Sequence, residues 1–279
     1  DYLARRITNI QLMSKTQTAE TASRSHQAPA VARAAAVLRV LANAGEGLGV
    51  NEVARRSGLV PSSSLHVLRA LTEEGLAAFD EHSKRYSLGL GLLTLAHDML
   101  GQNPFNTLVQ PELQLLANQH RATAIAVQLD DRERMVVVAV AQAPTLLQIR
   151  VGVGSRYPAY ISATGRCVAA WSDLPETQLK RRFDALKWQS PPSFAQWLRE
   201  VKQAKRDGFA IDAGHYINGF TVIAAPLVAS RPEAATATPR QAIAVVCVSE
   251  QLDIERKHAL ATQAREAAAR VALRLTRQA

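Results

Sequence analysis

The chain has 279 residues, 47% of them hydrophobic, enough for two folded domains with separate cores and too apolar for a disordered chain. Its formal charge is +9, but residues 1–120 hold 11 Lys and Arg against 10 Asp and Glu, and residues 121–279 hold 22 against 14. The excess is mostly in the C-terminal half, so bulk charge alone does not mark a nucleic-acid-binding half.

Residues 1–27 are polar and aperiodic and are expected to form a flexible tail, with Met13 as a candidate start. From Pro29, the stripe Val31, Ala34, Val37, Leu38 and Leu41 predicts a first helix, ended by Gly45 and Gly47. Asn51 is a candidate cap for a short helix over Glu52–Ser57, and Gly58 supplies the positive φ that stops it. Pro61 then sits just outside a further helix capped by Ser62 or Ser63, with Leu65, Leu68 and Leu71 inward and Ser63, His66 and Arg69 outward. Two helices joined by so tight a turn cross steeply, and a small polar outer face on the second is what a major groove accepts. Leu76–Phe79, a turn at Asp80–Ser83, and Lys84–Leu88 make a basic-tipped hairpin. The expected DNA contacts are Ser62, Ser63, His66 and Arg69 at bases and phosphates, with Arg33, Lys84 and Arg85 on the backbone.

Leu90, Leu92, Leu93, Leu95, Ala96, Met99 and Leu100 predict a helix apolar on more than one face, which needs a partner within the chain or in a second subunit. A helix over Leu108–His120 follows it. Ala122–Leu129 and Arg134–Ala141 read as a hairpin around Asp130-Asp131-Arg132, and Leu146–Val151 as a third strand. A loop from Tyr157 runs into a helix containing Cys167, and Pro175 and the Phe194–Asp207 stripe mark two more helices. Gly208–Asp212, Phe220–Val228 and Gln241–Ser249 complete a mostly antiparallel sheet, interrupted by a surface loop over Ser230–Arg240. Ile254–Leu275 is a closing helix, and the fold class is α+β. Cys167 and Cys247 lie in apolar surroundings without metal spacing, no apolar run reaches membrane-spanning length, and no signal-peptide core opens the chain. A cytoplasmic protein without metal or resident cofactor is expected.

With both halves in view, the chain resembles the isocitrate lyase regulator (IclR) family of bacterial transcription factors from about Ala30 to Leu275. The resemblance rests on Val31-Ala32-Arg33-Ala34, on Asn51 to Leu59, and on Tyr86-Ser87-Leu88-Gly89. In the second half it rests on Ser162-Ala163-Thr164-Gly165-Arg166, Gly208-Phe209-Ala210-Ile211-Asp212 and Ile223-Ala224-Ala225-Pro226-Leu227. It implies a winged helix-turn-helix, a linker helix and a GAF-like effector-binding domain, dimeric through the DNA-binding domains and often tetrameric. The expected division is a tail at 1–27, a DNA-binding domain at 28–89, linker helices at 90–121 and an effector domain at 122–279. Two departures stand out. Pro61-Ser62-Ser63-Ser64-Leu65-His66 replaces the family's Lys-Ser-Thr-Val-His-Arg, and Gly214, His215 and Ile217 occupy positions where the family often has carboxylates.

The expected function is a sequence-specific DNA-binding regulator, repressor or activator, on a pseudo-palindromic operator under the control of a small organic acid. Ser162 precedes a helix, so its hydroxyl and the free N–H groups of Ala163, Thr164 and Gly165 suit a carboxylate. Tyr160, Ile161, Ile217 and Phe220 are candidate apolar walls, and Asp212 and His215 candidate partners for a hydroxyl or ring substituent. Aromatic acids therefore lead over short keto acids. The rival reading is a small-molecule hydrolase using Ser162, His215 and Asp212, although no Gly-x-Ser-x-Gly elbow surrounds any serine.

Overall fold

The computed structural model describes residues 28–144, 151–228 and 239–278. The predicted tail, nearly all of the Leu146–Val151 strand and most of the Ser230–Arg240 loop lie outside the described residues. The chain divides into two compact units between Gln102 and Asn103.

The first unit opens with α1 (Pro29–Ala44), whose proline falls in the first turn, where no N–H is needed, and whose end is turned by Gly45. Val37 and Leu41 are buried as its stripe demands. Val31, expected on the same stripe, is 67% exposed in the first turn. The next helix, α2 (Val50–Ser57), begins at Val50 with Gly49 as N-cap, so Asn51 lies inside it and caps nothing. Gly58 takes the turn at φ +73°, as expected. Pro61 is the first residue of α3 (Pro61–Glu73), not its flank, and Val60 rather than Ser62 or Ser63 is the N-cap. The buried row of α3 is accordingly Ser64, Leu68 and Leu71, at i, i+4 and i+7, and Leu65 is only half-buried.

The hairpin pairs β1 (Ala77–Asp80) with β2 (Arg85–Leu88), Ala77 opposite Leu88 and Asp80 opposite Arg85. Asp80 Oδ1 accepts the N–H groups of His82 and Ser83, and Lys84 closes the turn at φ +54°. The Ser83 and His82 N–H groups hold the Asp80 carboxyl below the usual range. Its contribution to the turn is thus present above the ordinary carboxylate pKa and lost as pH falls through the lowered one. Tyr86 bridges to Leu48 and joins Val37, Leu41, Val53, Leu68 and Leu71 in one core. The unit ends with α4 (Gly91–Gly101), which has no buried residue; Leu93, Leu95 and Met99 are 68%, 59% and 63% exposed.

The second unit is a three-layer arrangement. Its sheet holds β3 (Thr123–Leu129), β4 (Arg134–Gln142), β5 (Arg156–Pro158), β6 (Ala210–Ala213), β7 (Phe220–Pro226) and β8 (Gln241–Val248). The strand order is β5-β4-β3-β8-β7-β6 and each pairing is antiparallel. Alternation decides which helices each face receives. Ala124, Ala126, Ile243, Val245 and Cys247 meet α5 (Pro104–His120) and α9 (Ile254–Gln278). Ile125, Val127, Met135, Ala242 and Ala244 meet α6 (Ser162–Trp171), α7 (Glu176–Asp184) and α8 (Phe194–Asp207). On α9, Ala261, Ala264, Ala267, Ala268 and Ala272 are buried, small enough to let the helix lie close to the sheet. Phe105, Val109, Leu113 and Leu116 put α5 in this core, so the second of the expected linker helices is part of the effector unit's own packing.

Both cysteines are buried and unpaired, and burial pushes each thiol up to about 12. A thiolate at neutral pH is therefore scarce. Ellman's reagent should leave Cys167 and Cys247 untouched in the native protein and titrate both in denaturant; rapid native labelling would contradict this packing.

Candidate functional site

The outward surface of α3 is Pro61, Ser62, His66, Arg69, Ala70 and, in the last turn, Glu73. Ser63, expected beside His66, is half-buried because the helix starts earlier than its serines suggested. Arg33 is exposed on α1. On the hairpin, Lys84 lies 5.8 Å from the Phe79 ring centre, and Arg85 Nη1 donates to the Gly47 carbonyl at 2.8 Å. The expected DNA-contacting residues thus occupy exposed positions on α1, α3 and the hairpin, with Ser63 turned partly inward.

Residues 28–102 carry seven basic side chains (Arg33, Arg39, Arg55, Arg56, Arg69, Lys84, Arg85) and seven acidic ones (Glu46, Glu52, Glu73, Glu74, Asp80, Glu81, Asp98). Glu52 neutralises two of the former, accepting from both Arg55 and Arg56, whose hydrogen bonds hold its carboxyl down to about 2. Glu52→Gln should free both guanidiniums and raise affinity for non-specific duplex DNA about threefold at low salt, with a steeper salt dependence. Fluorescence anisotropy checks this, and unchanged affinity would place Arg55 and Arg56 away from DNA.

The second unit's polar centre is Arg166, the only charge in the α6 sequence and 0% exposed. Its Nε donates to Glu200 Oε2 at 2.7 Å and its Nη1 to the Ser162 carbonyl at 2.9 Å. Its Nη2 lies 3.2 Å from His215 Nδ1 and 3.9 Å from Asp212 Oδ1. The Asp212 oxygens also accept the N–H groups of His215 (3.0 Å) and Tyr216 (3.2 Å). Burial, then the Asp212 charge, pushes the Tyr216 hydroxyl above its ordinary pKa. Tyr157 is raised mainly by burial and is hydrogen-bonded to Thr164. One guanidinium thus ties the start of α6 to the inner face of α8 and to the β6–β7 loop.

Ser162 is the first residue of α6, with Ile161 as N-cap, so it is not itself the cap. It sits at φ +61°, 3% exposed, and its Oγ has no hydrogen-bond partner among the described residues. A non-glycine residue held in the left-handed region is a strained position. Gly165 N–H is bound to the Ile161 carbonyl at 2.9 Å, which removes it from the expected set of donors and leaves those of Ala163 and Thr164. The structure brings Ser162, Asp212 and His215 together around Arg166. Ile161 is buried at 1% exposure, and Ile217 and Phe220 are half-buried and close the β6–β7 turn on each other. Tyr160 belongs elsewhere: its ring carries Arg182 at 5.3 Å and lines a separate 370 Å³ cavity with Glu133, Asp173 and Leu174. The serine hydrolase geometry is not formed, since Ser162 Oγ makes no hydrogen bond to His215 and His215 Nδ1 faces both Asp212 and Arg166.

Sequence reasoning passed over Arg166, Glu200, Trp188, Tyr157 and Tyr216. One signal was available for Arg166: a lone charge in the otherwise apolar or small Ser162–Trp171 helix, one turn after Ser162. Among the described residues, no group of three or more His, Cys, Asp or Glu side chains is placed to hold a metal, and no helix is long and apolar enough to cross a membrane.

Two helices joined by a tight turn at Gly58 and followed by a hairpin, ahead of an α+β unit, match the architecture of a DNA-binding transcriptional regulator. Residues 97–273 match the family described as bacterial transcriptional regulator IclR C-terminal, and residues 30–81 match the IclR helix-turn-helix domain. The chain belongs to the IclR family. It is 27% identical to the glycerol operon regulatory protein of Streptomyces coelicolor over 70% of this chain and 77% of that one. It is 29% identical to the HTH-type transcriptional regulator Rv1719 of Mycobacterium tuberculosis over 75% of this chain and 80% of that one. The crystal structure of an IclR transcriptional regulator from Alicyclobacillus acidocaldarius matches 89% of this chain and 99% of its own with a TM-score of 0.78 and 26% identity. An IclR homologue from Microbacterium hydrocarbonoxydans complexed with 4-hydroxybenzoate shares the fold at a TM-score of 0.73 and 19% identity, over 89% of this chain and 99% of that one.

Proposed function

We propose that this regulator binds its operator as a dimer and that a small carboxylic acid, seated at the N-terminus of α6, controls that binding. The observation that carries the reading is Ser162, a buried hydroxyl without a partner among the described residues, at a strained φ, in the first turn of α6, where backbone N–H groups have no intrahelical acceptor. Buried polar groups are nearly always satisfied, and an anion at a helix N-terminus would satisfy these. The 4-hydroxybenzoate bound by the Microbacterium homologue supports an aromatic acid as the first candidate. The exposed Leu93, Leu95 and Met99 of α4 support a second copy of the chain as the partner of that helix. Ser62, His66 and Arg69 then meet base edges and phosphates, with Arg33, Lys84 and Arg85 on the backbone.

A ligand acts on DNA binding only through different affinities for the DNA-competent and DNA-incompetent arrangements. The test is a thermal-shift screen of the full chain against aromatic and aliphatic carboxylic acids, because a ligand that binds only the native state raises the melting temperature. A selective shift lost in Ser162→Ala, with release of selected operator DNA by the same acid, is expected. Shifts unaffected by Ser162→Ala would move the ligand away from α6, and operator binding unaffected by Arg69→Ala would remove that residue from the interface.

A further inference from the structure

Ser162 is not the only unsatisfied group beside Arg166. Trp188, midway along the connection between α7 and α8, has its ring centre 5.7 Å from the Arg166 guanidinium, and its indole Nε1 is buried without a partner among the described residues. The segment that carries it is tied to the opposite loop. Ser190 N–H donates to the His215 carbonyl at 3.0 Å and Ser190 Oγ to Asn218 Oδ1 at 2.8 Å, while Asn218 N–H donates to Gln189 Oε1 at 2.8 Å. These bonds fix the two residues that follow Trp188 against the β6–β7 loop, so its donor is preorganised.

Packing alone does not explain an indole here. The ring contacts Phe183 at 5.7 Å and Arg166 at the same distance, and a phenyl ring would serve both. What tryptophan adds is one N–H, and a buried donor with no acceptor is a cost unless something supplies the acceptor. Ser162 Oγ and the α6 N–H groups call for a carboxylate, and Trp188 calls for a further oxygen on the same molecule. We propose that Trp188 is a specificity-determining residue: its indole N–H donates to a second oxygen, hydroxyl or keto, of a carboxylic acid whose carboxylate is held at the start of α6. This rests on the ligand site proposed above and narrows its ligand to hydroxy- and keto-acids.

Trp197 provides an internal control. Its Nε1 is likewise buried and unpartnered, but its ring packs among Phe183 and Phe194 at 5.4 and 5.9 Å, inside the aromatic cluster. The experiment is calorimetric titration of the full-length protein with matched pairs, 4-hydroxybenzoate against 4-methylbenzoate and 2-oxobutanoate against butanoate. The wild type should prefer the oxygen-bearing member of at least one pair by about tenfold. Trp188→Phe should bring that preference to within about twofold while still binding the plain acid, and Trp197→Phe should keep it. A preference retained in Trp188→Phe, or lost equally in Trp197→Phe, overturns the role of Trp188. If Ser162→Ala abolishes binding in that case, the carboxylate site itself stands. No binding of any of the four acids to the wild type overturns both readings.

Discussion

Replacing Arg166 with methionine should cost the second unit about 3–5 kcal/mol, the range found when one partner of a buried ion pair is removed. The guanidinium is 0% exposed, and its loss leaves Glu200 without its ion partner, the Ser162 carbonyl without its donor and Asp212, 1% exposed, without a nearby cation. Methionine fills much of the volume, so the penalty is electrostatic rather than a cavity effect. Urea unfolding followed by tryptophan fluorescence measures it, Trp188 lying 5.7 Å from the guanidinium and Trp197 one turn before Glu200 on α8. Adding Glu200→Gln to Arg166→Met should recover part of the loss, because one of the stranded charges disappears with it. A loss below about 1 kcal/mol for Arg166→Met alone would mean that the cluster is hydrated and that the pairings contribute little.

Arg166 also shows where sequence reading stops. Five of the six strands of the second unit and the larger helices were legible because period-2 and period-3.6 patterns are set by which face is buried, and the Ala124/Ile125 alternation on β3 separates the two helical layers; β5, only three residues long, falls where a loop was expected. The turn at Gly58 was legible because its left-handed φ suits glycine. Helix starts were less so. Ser62 or Ser63 read as the cap of α3 and Ser162 as preceding α6, yet both helices begin at or before these serines, since Pro61 is itself well suited to a first turn and Ile161 can stand as N-cap without a side-chain bond. That small shift turned Ser63 partly inward and took Gly165 N–H out of the ligand site. Glu200 and Trp188 were illegible for a different reason. Each joins Arg166 from a separate element more than twenty residues away, and local patterns carry no information about which distant side chain a buried charge will find.

Two glycines that sequence patterns treat as ordinary should divide the molecule experimentally. A Cβ on Gly89 would overlap the Gly75 carbonyl oxygen and lie 2.9 Å from Ala77 N, backbone atoms that cannot rotate away. The same strand end donates Gly89 N–H to the Leu76 carbonyl, and Gly91 N–H donates to Gly75, so the return from the hairpin runs tightly against the end of α3. Gly89→Ala must push these segments apart, at a cost of roughly 2–4 kcal/mol. For a unit of this size, the corresponding melting transition should fall by roughly 10 °C or more. Since the displaced segments carry both the hairpin and the C-terminal end of α3, operator affinity should fall with it. A Cβ on Gly165 meets the Tyr160 backbone, with Cα only 2.6 Å away, where the chain turns into α6. Gly165→Ala should therefore lower the transition of the second unit and remove any stabilisation by carboxylic acids, because Ser162 and Arg166 sit on the displaced turn. Differential scanning calorimetry of the two variants, paired with operator binding at fixed salt, reads both effects. If each variant shifts one transition and leaves the other in place, the two units on either side of Gln102 and Asn103 melt separately. If either variant shifts both transitions together, the two units unfold as one cooperative body, and a ligand bound at α6 then stabilises the DNA-binding unit directly.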